Sequence, residues 1–187
     1  AKERKPVNQE IFERVAKESG LKVEVGGGIR DMKTIEYYLE RGIERVILGS
    51  VAVKNPELVK EAVKEFKERI AVGIDAKNGM VATEGWLEKS DVSYLDLGLA
   101  MEDAGVKTII FTDISRDGTL TGVNTEQLGR LNETVSCNII ASGGVSSIKD
   151  IEDCLELNLY GCICGKALYT GALNLEEAVR KAGVQTC

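Results

Sequence analysis

The sequence predicts an α/β protein: a (β/α)8 TIM barrel built from two half-barrels, of which this chain carries six parallel strands, the third to the eighth, with their flanking helices. Three observations predict it. Short β-branched runs alternate with amphipathic stretches that end in Gly or a charged turn, the pattern of βαβ units on a parallel sheet. A 27-residue segment recurs without a gap at an offset of 116 residues. The first amphipathic stretch, Gln9–Ser19, has no strand before it, although in a βα unit each helix packs back beside the strand that feeds it.

After that opening helix comes the strand Lys22–Val25, closed by Gly26, Gly27 and Gly28, and then the helix Met32–Arg41. Arg45–Leu48 is a short apolar strand ending at Gly49. The helix Pro56–Glu68 is entered through Asn55 as cap, with Pro56 at the first helical position, where a missing N–H costs nothing. Strand Ile70–Ile74 leads through a loop to the helix Val92–Ala104. Strand Thr108–Thr112 is followed by helix Thr125–Glu133, strand Asn138–Ala141 by helix Ile148–Glu156, and strand Gly161–Cys164 by helix Leu175–Lys181. The strands are largely apolar, as strands covered on both faces must be.

The repeat lays GGIRDMKTIEYYLERGIERVILGSVAV (Gly27–Val53) over GGVSSIKDIEDCLELNLYGCICGKALY (Gly143–Tyr169), with nine of 27 pairs identical. Gly27/Gly143, Gly28/Gly144 and Gly49/Gly165 are among them, and a shared apolar rhythm does not demand the same glycines at the same offset. A 116-residue period is too long for a solenoid, whose repeats run about 20–50 residues. It suits half-barrels, with residues 1–69 as the remainder of the first and residues 70–187 as the second. The same arithmetic expects two strands upstream, about fifty residues in all, so the chain reads as one N-terminally incomplete barrel domain.

Composition narrows the function. A net charge of -6 and a pI near 5.0 argue against nucleic acid or an anionic membrane as partner, since both need a positive field. No apolar run approaches the roughly 20 residues that span a bilayer, and the polar start AKERKPVNQE is not a secretory signal, so a cytoplasmic protein is expected. Cys137, Cys154, Cys162, Cys164 and Cys187 are odd in number and lack CxxC spacing, which reads as reduced thiols. With no histidine, Ser-His and Cys-His nucleophiles and most zinc sites are excluded, which leaves acid-base chemistry to Asp, Glu, Lys, Cys or Tyr.

Chemistry then concentrates at strand C-termini. Gly26–Gly28 with Gly49–Ser50, and Gly143–Gly144 with Gly165–Lys166, occupy equivalent positions in the repeat. Glycine lets a backbone N–H approach an anion closely, and a following helix N-terminus adds its dipole. In a closed barrel the two glycine sets face each other across one mouth, which suits a small molecule with a phosphate at each end. No G-x-G-x-x-G follows any strand, so a nucleotide cofactor is not indicated. Asp75 ends the strand IAVGID, where a carboxylate would project into the barrel mouth, or would cap the DAKNG turn. Thr112 ends the next strand, and Asp117 lies in the polar loop after it, either ordering that loop or capping a turn. Trp86, the single tryptophan, would stack on a planar ligand or cover the barrel edge.

The motifs VGGGIR, LGS, GIDAKNG, EGW, FTDISRDGTLTG, ASGGVSS and GKALY, spread from Pro6 to Ala182, together resemble one family. It is the phosphoribosylformimino-5-aminoimidazole carboxamide ribotide (ProFAR) isomerases of histidine biosynthesis. The resemblance implies a cofactor-free Amadori rearrangement of a bisphosphate aminoaldose to the aminoketose PRFAR. It implies Asp75 as the general acid that opens the furanose ring, with Thr112 assisting, and leaves the family's general base, an Asp on the first strand, without a counterpart in this chain. By the same match Gly28, Arg30 and Ser50 fall at one phosphate, Gly143, Gly144, Gly165 and Lys166 at the other, and Trp86 and Asp117 in substrate loops. The sister cyclase, imidazole-glycerol-phosphate synthase, is the nearest rival, and the short DAKNGMVATEGW segment favours the isomerase. A phosphoribosylanthranilate activity beside it stays open. A third reading is a phosphate-binding barrel fragment, inactive by itself and able to associate through its open sheet edges, where the whole enzyme would be a monomer.

Overall fold

The computed structural model describes residues 9–183. Cys187 and the polar segment before Gln9 lie outside them. Six parallel strands, β1 (Glu24–Gly26), β2 (Arg45–Leu48), β3 (Ile70–Lys77), β6 (Thr108–Asp113), β7 (Asn138–Ser142) and β8 (Gly161–Cys162), pair in that order. The register sets Val25 beside Val46, Ile47 beside Ala71, Asp75 beside Thr112, and Ala141 beside both Phe111 and Cys162. Helices α1 (Gln9–Glu18), α2 (Met32–Glu40), α4 (Pro56–Phe66), α5 (Tyr94–Asp103), α6 (Thr125–Thr134), α7 (Ile148–Glu156) and α9 (Leu175–Lys181) connect or flank the strands. Two one-turn helices, α3 (Val51–Lys54) and α8 (Lys166–Tyr169), follow β2 and β8.

Strand alternation decides where the core lies. Successive side chains point to opposite faces. On β3, Val72, Ile74 and Ala76 are sealed against the helices, whereas Gly73 and Asp75 between them are partly open on the concave face. Ile109 and Phe111 on β6 and Ile139 and Ala141 on β7 join Val72 and Ile74 in one cluster with Ile35, Tyr38, Val59 and Leu131 from the helices. Each such large side chain contributes about 1.5–3 kcal/mol on burial. The concave residues Gly26, Ile47, Asp75, Ile110 and Thr112 are thereby left to line a cavity at the C-terminal end of the sheet.

The expected elements form, with shifted ends. The first strand is Glu24–Gly26 rather than Lys22–Val25, and the last stops at Cys162 rather than Cys164. Strand β3 runs on to Lys77, three residues past the expected end, because it pairs with an unexpected neighbour. The stretch read as a loop after Asp75 is a β-hairpin, β4 (Met80–Thr83) and β5 (Glu88–Ser93), with β4 antiparallel to β3 and β5 antiparallel to β4 alone. Asn78 and Gly79, with φ of 54° and 79°, make the two-residue turn that joins β3 to β4. The following helix therefore starts at Tyr94, capped by Ser93, two residues later than expected.

The repeat is visible in the fold. Helix α2 at 32–40 and α7 at 148–156 have the same bounds at the 116-residue offset, and β2 and β8 begin at equivalent residues. Among the described residues β1 and β8 each pair on one side only. Beside β8 an apolar cavity of about 400 Å³ is lined by Leu155, Tyr160, Leu175 and three thiols, Cys154, Cys162 and Cys164. A hydrogen bond to Cys154, with burial, pushes the Cys162 thiol up to about 11, which favours the protonated form.

Candidate active site

Two cavities open at the C-terminal ends of the strands. The first, of about 270 Å³, is enclosed by the Gly26–Arg30 turn, Gly49 and Ser50, Asp75 and Thr112. Gly28 has φ +73°, a conformation that a side chain would strain, and it turns the chain from β1 toward α2. Asp75 and Thr112 are direct partners across β3 and β6, so carboxylate and hydroxyl project side by side from the concave face.

The hairpin closes over this cavity. Its tip, Glu84–Gly85–Trp86, has three consecutive left-handed residues at φ 54°, 65° and 73°. Two of them are not glycine, and such backbone persists only where surroundings over-determine it. Here they do. The Glu84 N–H donates to the Ser50 Oγ at 2.9 Å, and the Glu84 carboxylate meets Arg30 at 3.3 Å and Lys54 at 2.8 Å. The Trp86 indole N–H donates to Asp75 Oδ2 at 2.8 Å. Hydrogen bonds to Glu84 and Glu88 hold the Lys54 ammonium charged beyond its ordinary range. Arg30, from the Gly28 turn, and Lys54, at the end of α3, thus already hold an anionic group.

The second cavity, of about 200 Å³, is lined by Asp117, Gly118, Ser142, Gly143, Gly144, Gly165 and Lys166. Lys166 opens α8 and donates from Nζ to the Gly118 carbonyl at 2.6 Å. The loop bearing Asp117 is braced at both ends. Asp113 accepts from the Ser115 N–H at 2.9 Å, the Ser115 hydroxyl at 2.6 Å and Asn124 Nδ2 at 2.6 Å. Burial alone would raise the Asp113 carboxyl, but these donors outweigh it and hold the group below the usual carboxylate range. Arg116 binds the Gly122 and Val123 carbonyls, both at 3.1 Å. Gly144, at φ +90°, packs so closely on this loop that a Cβ would sit 2.2 Å from the Gly122 oxygen.

The structure brings the expected residues into two groups. Gly28, Arg30, Ser50, Asp75 and Thr112 line the first cavity, and Asp117, Gly143, Gly144, Gly165 and Lys166 the second. Ile163 borders both, so they adjoin on one face. Trp86, at the hairpin tip, is half-exposed and donates its indole N–H to Asp75. Sequence reasoning missed Glu84 at the first cavity, its partner Lys54, and the bracing roles of Asp113 and Asp150 at the loop over the second. The Asn-Gly turn at 78–79, between two strand-forming runs, is the signal that would have found the hairpin and with it Glu84.

Residues 1–174 match the profile of the family described as histidine biosynthesis protein. The chain belongs to this family. One member of known name, from Listeria monocytogenes serotype 4b (strain F2365), is 55% identical over 179 residues, which cover 96% of this chain and 75% of the relative. It is named 1-(5-phosphoribosyl)-5-((5-phosphoribosylamino)methylideneamino) imidazole-4-carboxamide isomerase. Relatives of the same name from Clostridium novyi (strain NT) and Clostridium botulinum (strain Langeland / NCTC 10281 / Type F) are 50% and 51% identical, covering 94% and 92% of this chain and 74% and 72% of their own length. Within the histidine biosynthesis family the chain thus aligns with isomerases across both cavities. No helix among the described residues is long and apolar enough to cross a membrane.

Proposed function

We propose that the protein catalyses the Amadori rearrangement of the bisphosphate ribotide ProFAR to PRFAR in histidine biosynthesis. The observation that carries the reading is the pair of adjoining cavities, each with glycine backbone and a cation, with the Asp75 carboxylate at the end of β3 lining the first of them beside Thr112. One phosphate sits against Gly28, Arg30 and Ser50, and the other against Gly143, Gly144, Gly165 and Lys166. The sugar then crosses the concave face at Asp75 and Thr112. The first phosphate takes over the cations that Glu84 occupies in the free protein.

In this reading Asp75 is the general acid. It gives its proton to the furanose ring oxygen as the C1–O bond breaks, which leaves a protonated imine at C1. A base removes the proton at C2, the enol collapses to the ketone, and C1 regains a proton; no electron leaves the substrate. Trp86, hydrogen bonded to Asp75, holds the carboxyl toward the cavity, Thr112 hydrogen bonds the reacting sugar, and Asp117 orders the loop over the second phosphate. We place the base on one of two further strands that pair with the open edges of β1 and β8 and complete two half-barrels, residues 1–69 belonging to the first and 70–187 to the second.

The test is conversion of ProFAR by this chain and by the chain extended upstream by two βα units. The extended protein turns over and the short chain does not. Equal rates would refute the placement of the base, and inactivity of both would refute the isomerase reading.

A further inference from the structure

The two phosphate ends are built differently, and the difference runs through Asp150. The repeat pairs Asp150 with Thr34, each the third residue of its helix. In the first copy the cap is local: Asp31 at the N-cap accepts from the Thr34 N–H at 2.8 Å and the Thr34 hydroxyl at 2.9 Å. In the second copy Ser147 is the N-cap and Asp150 reaches back. Its Oδ2 accepts from the Ser146 N–H at 2.9 Å, the Ser146 hydroxyl at 2.8 Å and the Ser147 N–H at 2.9 Å. Those contacts suffice to close the start of α7.

The other oxygen goes elsewhere. Oδ1 accepts from the Val123 N–H at 3.1 Å, across 27 residues of chain. Val123 ends the loop that carries Asp117 and Gly118, and the same crossing holds the Gly122 N–H bond to the Gly144 carbonyl at 3.0 Å. Asp150 is 5% exposed, so its charge is concentrated on these few donors. Burial would raise its carboxyl, yet the Ser146, Ser147 and Val123 donors hold it below the usual range.

We propose that Asp150 is a positioning residue for the second phosphate end: by tying Val123 to the Ser146–Ser147 turn, it holds the Asp117–Gly118 loop over Gly143, Gly144, Gly165 and Lys166 before any ligand arrives. The proposal rests on the reading of that cavity as a phosphate site. A pocket held in its bound form needs no further ordering when the anion enters.

Asn at position 150 separates the tie from the cap. Its single carbonyl oxygen can serve the two serine N–H groups, and its amide N–H₂ then faces the Val123 N–H, donor against donor. Asp150→Thr places the first half's residue at this position, removes the acceptor for the Val123 N–H, and is the second variant. The probe is inorganic phosphate, followed by the backbone amide signals of Gly144 and Gly165 at one end and of Gly28 and Ser50 at the other.

Asp150→Asn and Asp150→Thr should weaken phosphate about tenfold at Gly144 and Gly165, the loss of one charge-assisted bond, and leave the Gly28 end unchanged. Unchanged affinity at the Gly144 end, or equal weakening at both ends, overturns the positioning role. If phosphate shifts neither Gly144 nor Gly165 in the unaltered protein, the phosphate-site reading itself fails and the proposal with it. Hydrogen exchange at Val123 in the unaltered chain decides the matter even if both variants fail to fold: protection is already present without phosphate, and protection that appears only on binding contradicts the proposal.

Discussion

Gly144→Ala probes the contact on which the second cavity depends. The residue has φ +90°, and a Cβ there would lie 2.2 Å from the Gly122 carbonyl oxygen, 2.9 Å from its carbon and 3.2 Å from Arg116 Cβ. The nearest atom is backbone, so no side chain can swing aside. The loop must retreat by roughly 1 Å to restore van der Waals distance. That retreat breaks the Gly122–Gly144 hydrogen bond at about 1 kcal/mol, and left-handed strain on Ala adds about 1–2 kcal/mol. Crowding against packed backbone adds about 1–3 kcal/mol, so a loss of about 3–6 kcal/mol is expected. Urea unfolding measures it as a lower midpoint at constant slope. Gly161→Ala is the control: its φ is ordinary, nothing lies within 4 Å of the new Cβ, and the change stays below about 1 kcal/mol. A loss below about 1 kcal/mol for Gly144→Ala would refute the clash argument.

Three further outcomes follow from the site. Glu84→Gln removes the carboxylate between Arg30 and Lys54, partly exposed pairs worth at most about 1 kcal/mol each, so stability barely changes while inorganic phosphate binds several-fold tighter at that end; a titration showing equal or weaker binding contradicts it. Lys166→Ala removes the one cation lining the second cavity among the described residues and should weaken a bisphosphate about ten- to a hundredfold by calorimetry, whereas unchanged affinity would make Lys166 only a brace for Gly118. Asp113 and Asp150 both titrate lower folded than unfolded, so their contribution is whole above the unfolded value near 3.8 and is lost as pH falls through the folded values. Urea midpoints should therefore drop steeply below about pH 4, and less steeply in Asp150→Asn; parallel curves would show that Asp150 is not part of the acid response.

Much of the fold was legible because burial forces periodicity. Strands covered on both faces read as apolar runs, and β2 and the helices α7 and α9 fall at their expected bounds. The repeated glycines pointed to both cavities, since tight turns and close backbone packing leave a residue-type signature that survives without neighbours. The hairpin was not found by hydrophobicity, because β5 reads EKSDVS and pairs only with β4, the edge of a ribbon. Its evidence was turn chemistry at Asn78–Gly79. Glu84 and Asp150 were illegible for another reason. Their partners Lys54, Arg30 and Val123 lie 27 to 54 residues away, and single-sequence patterns carry no such distances.

The account rests on Asp75 as the acid between two phosphate ends. The direct measurement sets ProFAR turnover beside bisphosphate affinity for Asp75→Asn in the chain extended by two βα units. Asn keeps an oxygen for the Trp86 N–H but has no proton to give the ring oxygen. The account predicts turnover reduced by about 10²–10⁴-fold, the usual contribution of a general acid, with affinity held within a few-fold. Turnover that persists, or affinity that collapses with it, would contradict the assignment.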